Sequence, residues 1–207
     1  MKNYLTFIFI ILTFTSISHS QMKLGPKVGV NFSNLVGDDA EGVKTKTGFL
    51  VGLFFIYQFN DLFAIQPEAY YTMKGVKDEE IILGETAEWT IALDYIEIPI
   101  LFKVIIPFKN FLICPSFLAG PYVGFNTTAK AKIEYLGKSS EQDIVDLKST
   151  DLGLVFGIGL GFPVGQNEAG VDFRYELGLT TLFDFAEESD LKNSVFSINA
   201  YFGFNLH

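Results

Sequence analysis

Apolar and polar positions alternate with period two along eight stretches of this chain, at about 24–33, 48–59, 63–74, 95–104, 113–124, 151–162, 169–179 and 196–206. A helical period of 3.6 fits none of them better, so each reads as a β-strand. In the first, Leu24, Val28, Val30 and Phe32 share one face while Lys27, Asn31 and Ser33 share the other. In the fourth, Ile96, Ile98, Ile100, Phe102 and Val104 oppose Tyr95, Glu97, Pro99, Leu101 and Lys103. The apolar faces carry almost no charge. The polar faces carry most of the glycine and the charged residues Lys27, Glu68, Lys74, Glu97, Lys103, Asp172, Arg174 and Glu176.

The connections alternate in length. Those at 34–46, 75–92, 126–150 and 181–193 are long; those at Asn60-Asp61, Pro107 to Asn110 and Val164 to Asn167 are short. An even number of strands with this asymmetry predicts an all-β, eight-stranded, antiparallel up-and-down transmembrane β-barrel. Its short turns and both termini are periplasmic, and its long loops lie outside. A soluble sandwich or lipocalin-like barrel binding a small apolar ligand alternates too, and it is the competing fold. Glycine on the polar face separates the two, because glycine weakens a solvated strand and makes room inside a narrow tube. Pro26, Pro67, Pro99, Pro115 and Pro121 lie inside these strands, where each removes a ladder donor. Bulges or local gaps are expected at some of them.

Residues 1–20 add a compartment. Lys2, the apolar stretch Tyr4 to Phe14 and the ending Ser18-His19-Ser20 form a secretory signal peptide cut before Gln21. The expected division is therefore 1–20 signal peptide and 21–207 outer-membrane β-barrel domain. The apolar stretch is short for a retained anchor. Hydrophobic residues make up 49% of the chain, with 22 Phe and 9 Tyr. Past residue 20 no apolar run is long enough for a spanning helix, which leaves a barrel as the way to satisfy the backbone in lipid. A net charge of −9 excludes nucleic acid as a partner. Cys114, the single cysteine, has no internal disulfide partner.

Several short segments, in order, resemble the PorT-type outer-membrane β-barrel proteins of Bacteroidota over about 23–207. They are Gly25-Pro26-Lys27-Val28-Gly29-Val30-Asn31, Thr47-Gly48-Phe49, Gln66-Pro67-Glu68-Ala69-Tyr70-Tyr71 with Lys74-Gly75, Tyr95-Ile96-Glu97-Ile98-Pro99, and Gly120-Pro121-Tyr122. The resemblance implies an outer-membrane barrel. Most members of that family have no assigned role, and a few serve type IX secretion or gliding machinery.

Candidate chemistry is sparse. After signal removal the only histidine is His207, the last residue, a poor place for a general base or a metal ligand. Glu68, Glu97, Asp172 and Glu176 offer acid–base pairs in principle. In a small barrel, however, such charges pair with Lys27, Lys74, Lys103 and Arg174 and fill the lumen. We expect no enzyme, no cofactor and no metal site. The lumen is expected to be a polar network centred on Arg174 with at least one of Glu68, Glu97 or Glu176. Eight strands leave space for side chains only, so any channel is narrow. Acidic outer loops (Asp38, Asp39, Glu41; Asp78, Glu79, Glu80, Glu85, Glu88; Asp184, Glu187, Glu188, Asp190) are candidate contacts for envelope partners. Outer-membrane lipid is the remaining expected partner.

Overall fold

The computed structural model describes residues 21–37, 43–82, 85–107, 113–144, 147–182 and 190–206. The signal peptide expected at 1–20, the turn residues after Pro107 and His207 lie outside them. Among the described residues there are nine strands: β1 Gln21–Val36, β2 Lys44–Gln58, β3 Phe63–Ile82, β4 Glu85–Ile105, β5 Cys114–Tyr135, β6 Lys138–Asp143, β7 Thr150–Val164, β8 Asn167–Gly178 and β9 Lys192–Leu206. All pairings are antiparallel. Eight strands form a ring in the order β4-β3-β2-β1-β9-β8-β7-β5, closed by β4 against β5, and β6 hangs on the distal part of β5 alone. Each apolar run of the sequence coincides with one ring strand to within a residue, Phe59, Ile113 and Leu179 falling just outside β2, β5 and β8, and the first and last described strands, β1 and β9, pair with each other.

Closure turns one face of every strand outward, and it is the apolar face. Val28 is 53% exposed, Leu53 56% and Phe117 56%, while Lys27, Glu68, Glu97 and Arg174 are buried. That is the inverse of a soluble barrel, which removes the lipocalin-like alternative. The outward apolar stretches Leu24 to Phe32, Ile96 to Val104 and Phe117 to Phe125 each span about nine residues, the length of a tilted strand crossing hydrocarbon. Aromatic pairs flank this band. Tyr57–Phe59 (5.1 Å between centroids), Phe63–Phe102 (5.6 Å) and Phe202–Phe204 (5.0 Å) lie towards the turns. Phe32–Phe196 (6.3 Å) and Phe49–Tyr71 (6.0 Å) lie towards the loops.

Four prolines produce gaps rather than bulges. Pairing lapses between β1 and β9 beside Pro26, between β2 and β3 beside Pro67, between β3 and β4 beside Pro99, and between β4 and β5 beside Pro121. In each case the other flank of the proline keeps its register, as at Pro26 opposite Leu53 and Pro121 opposite Leu154. The two register shifts lie elsewhere, near the loop end. One falls between Thr45 and Leu50 of β2, and the other between Asp94 and Tyr95 of β4.

The expected loops at 75–92 and 126–150 need correction. β3 and β4 continue as a paired hairpin from Gly75↔Ala92 out to Ile82↔Glu85. β5 continues to Tyr135 and turns through Leu136 and Gly137, both at positive φ, into β6. Together β3, β4, β5 and β6 make a sheet standing beyond the ring at the loop end. Its outer face is charged, and its inner face carries Val76, Trp89, Ile91 and Ala131. At the opposite end Gly165, at φ +63°, makes the tight turn between β7 and β8.

The outward band predicts a depth-dependent cost for charge. Val28→Arg should destabilise by about 2–4 kcal/mol and Thr47→Arg, at the rim beside it, by about 0–1 kcal/mol. Urea unfolding from lipid vesicles measures both; equal costs would place the band elsewhere.

Candidate functional site

Because successive side chains alternate and the ring is closed, Lys27 of β1, Glu68 and Lys74 of β3, Glu97 and Lys103 of β4, Asp151 of β7, and Asp172, Arg174 and Glu176 of β8 all project into one lumen. Arg174 on β8 lies opposite Gly157 and Ser197 in the ladder, but its guanidinium crosses the tube to β3. There Nη1 donates to Glu68 Oε2 at 2.8 Å and Nη2 donates to Glu68 Oε1 at 2.8 Å, a two-pronged fit of fork to carboxylate. Nη2 also donates to Asp172 Oδ2 at 2.7 Å. Lys27 Nζ, from β1, donates to Glu68 Oε1 at 2.8 Å and to Asp172 Oδ2 at 2.9 Å. Gln66 Nε2 adds a bond to Glu68 Oε1 at 2.6 Å. Two cations and two carboxylates thus neutralise one another with no solvent-exposed side-chain surface.

A second group lies towards the loop end around Lys74. Its Nζ is 2.5 Å from Glu97 Oε1, 3.2 Å from Glu176 Oε2 and 3.9 Å from Asp151 Oδ2. The Glu97 contact is an ion pair without hydrogen-bond geometry. Tyr70 donates to Glu176 at 3.0 Å, and Tyr122 and Asn193 donate to Asp151 at 3.0 and 2.9 Å. The Lys74 ammonium also lies 4.7 Å from the centre of the Tyr122 ring. A third group guards the turn end, where Lys23 donates to Glu168 at 2.5 Å, Lys103 is 4.0 Å from Glu168 and Tyr201 donates to Glu168 at 2.9 Å.

Large inward side chains fit because their ladder neighbours are glycines. Tyr70 lies opposite Gly52, Tyr122 opposite Gly153 and Tyr201 opposite Gly170. A methyl group on Gly153 would stand 2.4 Å from the Tyr122 ring, and one on Gly170 would stand 2.2 Å from the Tyr201 ring. Buried apolar clusters separate the charged groups. Phe54, Ile56, Ala64 and Tyr201 form one; Leu101, Leu118, Tyr122 and Val155 form another; Leu35, Val76, Leu93, Tyr95 and Leu182 form a third at the loop end.

The structure therefore brings Arg174 together with Glu68, Asp172 and Lys27, but not with Glu97 or Glu176, which belong to Lys74. Lys103 stands apart with Glu168. The sequence pattern did not single out Asp151, Glu168 and Lys23 for the network. Asp151 was nonetheless on an inward face, whereas Lys23 and Glu168 lie at strand ends where alternation fades. Among the described residues no group of His, Cys, Asp and Glu is arranged to hold a metal ion.

These contacts set two expectations. Arg174→Met leaves Glu68 and Asp172 facing each other with Lys27 alone, and should cost about 3–5 kcal/mol of unfolding free energy. Adding Glu68→Gln should return part of it in a double-mutant cycle; full additivity would deny the pair. Gly153→Ala should displace Tyr122 from Asp151 and cost about 1–3 kcal/mol, the range for overpacking. Urea titration reads both, and an unchanged midpoint for Gly153→Ala would refute the close fit.

No curated protein sequence matches this chain. Among solved structures it is similar to the outer membrane protein OprG of Pseudomonas aeruginosa, with 14% identity over 91% of this chain and 96% of that one, at a TM-score of 0.54. It is also similar to the attachment invasion locus protein Ail of Yersinia pestis, with 20% identity over 89% of this chain and 99% of that one, at a TM-score of 0.44. Neisserial surface protein A matches with 13% identity over 87% of this chain and 97% of that one, at 0.48. The OprG likeness supports the fold and nothing finer. The family model described as the outer membrane protein beta-barrel domain matches residues 16–184, so this chain belongs to that family and is a β-barrel protein of the cell outer membrane.

Proposed function

We propose that the protein is a closed, non-enzymatic barrel that spans the outer membrane and presents the sheet of β3 to β6 outside the cell as an interaction element. The observation that carries this reading is the lumen. Lys27, Glu68, Asp172 and Arg174 from three strands meet across it with no exposed side-chain surface. A passing solute would have to separate charges held at 2.7–2.9 Å. An anchor with a filled bore has its working surface at the ends, and the loop end carries the larger structure.

The finer parts of this reading follow from the sequence. Residues 1–20 act as the signal peptide and Gln21 begins the mature chain, with both termini in the periplasm. Among barrel families the PorT-type proteins of Bacteroidota are the relatives proposed from the quoted segments. A link to type IX secretion or gliding machinery rests on that resemblance alone.

Two measurements test the reading. The folded protein in planar bilayers should give no discrete conductance steps; regular steps in the unmodified protein would mean an open path and would sink the closed barrel. In native outer membrane, cross-linked partners should be lost when β3 and β4 are joined by a short turn at Gly75 and Ala92. The shortened barrel should keep its unboiled gel mobility. Partners retained by that folded variant would move the interaction away from the sheet.

A further inference from the structure

The outward-facing cations are unevenly placed. Among the described strand residues, Lys44, Lys77, Lys130, Lys132 and Lys192 face outward, and all five lie at the loop end. Lys27, Lys74, Lys103 and Arg174 are buried in the lumen. On the sheet that leaves the ring, the outward lysines line up across strands. Lys44 lies opposite Lys77, Lys77 opposite Thr90, and Thr90 opposite Lys132, with Lys130 one outward position nearer the ring on β5. The next row away from the ring is acidic: Glu79 lies opposite Glu88, and Glu88 opposite Glu134.

Charges sorted into like-signed rows are unfavourable for a sheet, because like charges directly opposite repel. The acidic row is relieved by the lysines beneath it. Lys44 pairs with Glu79 at 2.7 Å and Lys77 with Glu88 at 2.5 Å, and Lys132 pairs with Glu134. Lys130 reaches sideways to Glu141 on β6. These pairs are 35–53% exposed where they involve Lys44 and Lys77, so exchanging one partner for another anion is cheap. The lysine row also has a fixed relation to the apolar band. On β5 the outward apolar series ends at Phe125, and Lys130 follows after the irregularity at Asn126 to Thr128. That is roughly 13–16 Å of strand, tilted, and a lysine stem can bend back along it to bring its ammonium towards the hydrocarbon edge.

We propose that Lys44, Lys77, Lys130 and Lys132 form a binding row for the phosphates of lipid headgroups in the leaflet at the loop end. The lysines exchange their carboxylate partners for lipid phosphate, and the acidic row beyond keeps the phosphates on the membrane side of it. This rests on the reading that the barrel spans the membrane with its loop end outward. The row is the next outward-facing set of charges beyond the lipid-facing band, within reach of bent lysine stems, it has the opposite charge to a phosphorylated headgroup, and it has no counterpart on the described residues of the turn end.

The test uses the full mature chain folded into nanodiscs containing phosphatidylcholine with either lipid A or its enzymatically dephosphorylated form. After detergent release, native mass spectrometry counts retained lipid. The wild type should keep lipid A over both phosphatidylcholine and the dephosphorylated form, with retention falling as salt rises. The combined variant Lys44→Gln, Lys77→Gln, Lys130→Gln, Lys132→Gln should lose that preference by roughly tenfold or more. Glu79→Gln with Glu88→Gln and Glu134→Gln should keep or strengthen it. Equal retention of the phosphorylated and dephosphorylated lipid by the wild type would overturn the proposal, as would full retention by the four-lysine variant. If that variant does not fold, the salt dependence and the dephosphorylated arm decide with wild-type protein. Unboiled gel mobility in pure phosphatidylcholine reports the spanning barrel separately: loss there defeats the membrane reading, whereas a folded barrel with no lipid preference defeats only the lysine row.

Discussion

A backbone in hydrocarbon has no water to bond to, so its ladder has to close on itself. Closure of this chain into eight staves then dictates the rest. Outward positions meet lipid and become apolar; inward positions share a bore too narrow to stay wet. Any charge placed there has to find its counter-charge within the bore. Arg174, Lys27, Glu68 and Asp172 meet that condition as a neutral set, with the planar guanidinium holding both oxygens of one carboxylate and reaching a second. The glycines on the facing staves follow from the same crowding, because the volume given to Tyr70, Tyr122, Tyr201 and Arg174 has to be vacated by the residue beside each.

How much of this could be read from the chain depended on what each stretch touches. The eight ring strands were legible because lipid on one side and packed polar groups on the other impose strict alternation, as in Ile96 to Lys103 against β3 and β5. The outer halves of β3 and β4 were not. Lys77-Asp78-Glu79-Glu80 reads as a solvated loop, although Lys77 and Glu79 pair across strands with Glu88 and Lys44, and Ala87, Trp89 and Ile91 keep the alternation on β4 alone. β6, with the sequence Lys-Ser-Ser-Glu-Gln-Asp, has no apolar residue and so no signal of its own. Inward charges could be assigned to the lumen from their parity, but not to one another. Pairing across the bore depends on which groups stand at the same height: Arg174 reaches Glu68 and Glu176, two residues on, reaches Lys74, both on β3.

The charged lumen and the charged sheet outside obey different rules. Inside, separation from water makes each unpaired group costly, and the pairs fix which strands face each other. Outside, the pairs Lys77–Glu88 and Lys44–Glu79 remain wet, so they organise a surface without contributing much to its stability.

The prolines give the wall a mechanical anisotropy. The ladders of β5 with β7, β7 with β8, β8 with β9, and β1 with β2 run without interruption along their lengths. The seams from β2 through β3 and β4 to β5 each skip a stretch of pairing. The ring is therefore a broad stiff plate, a narrower stiff plate, and two compliant staves between them, with one further soft seam between β1 and β9. Lateral pressure from the bilayer would not flatten such a tube evenly. It would ovalise about β3 and β4, the same two staves that carry the long hairpin outside, so a bending of the wall is transmitted as a tilt of that hairpin.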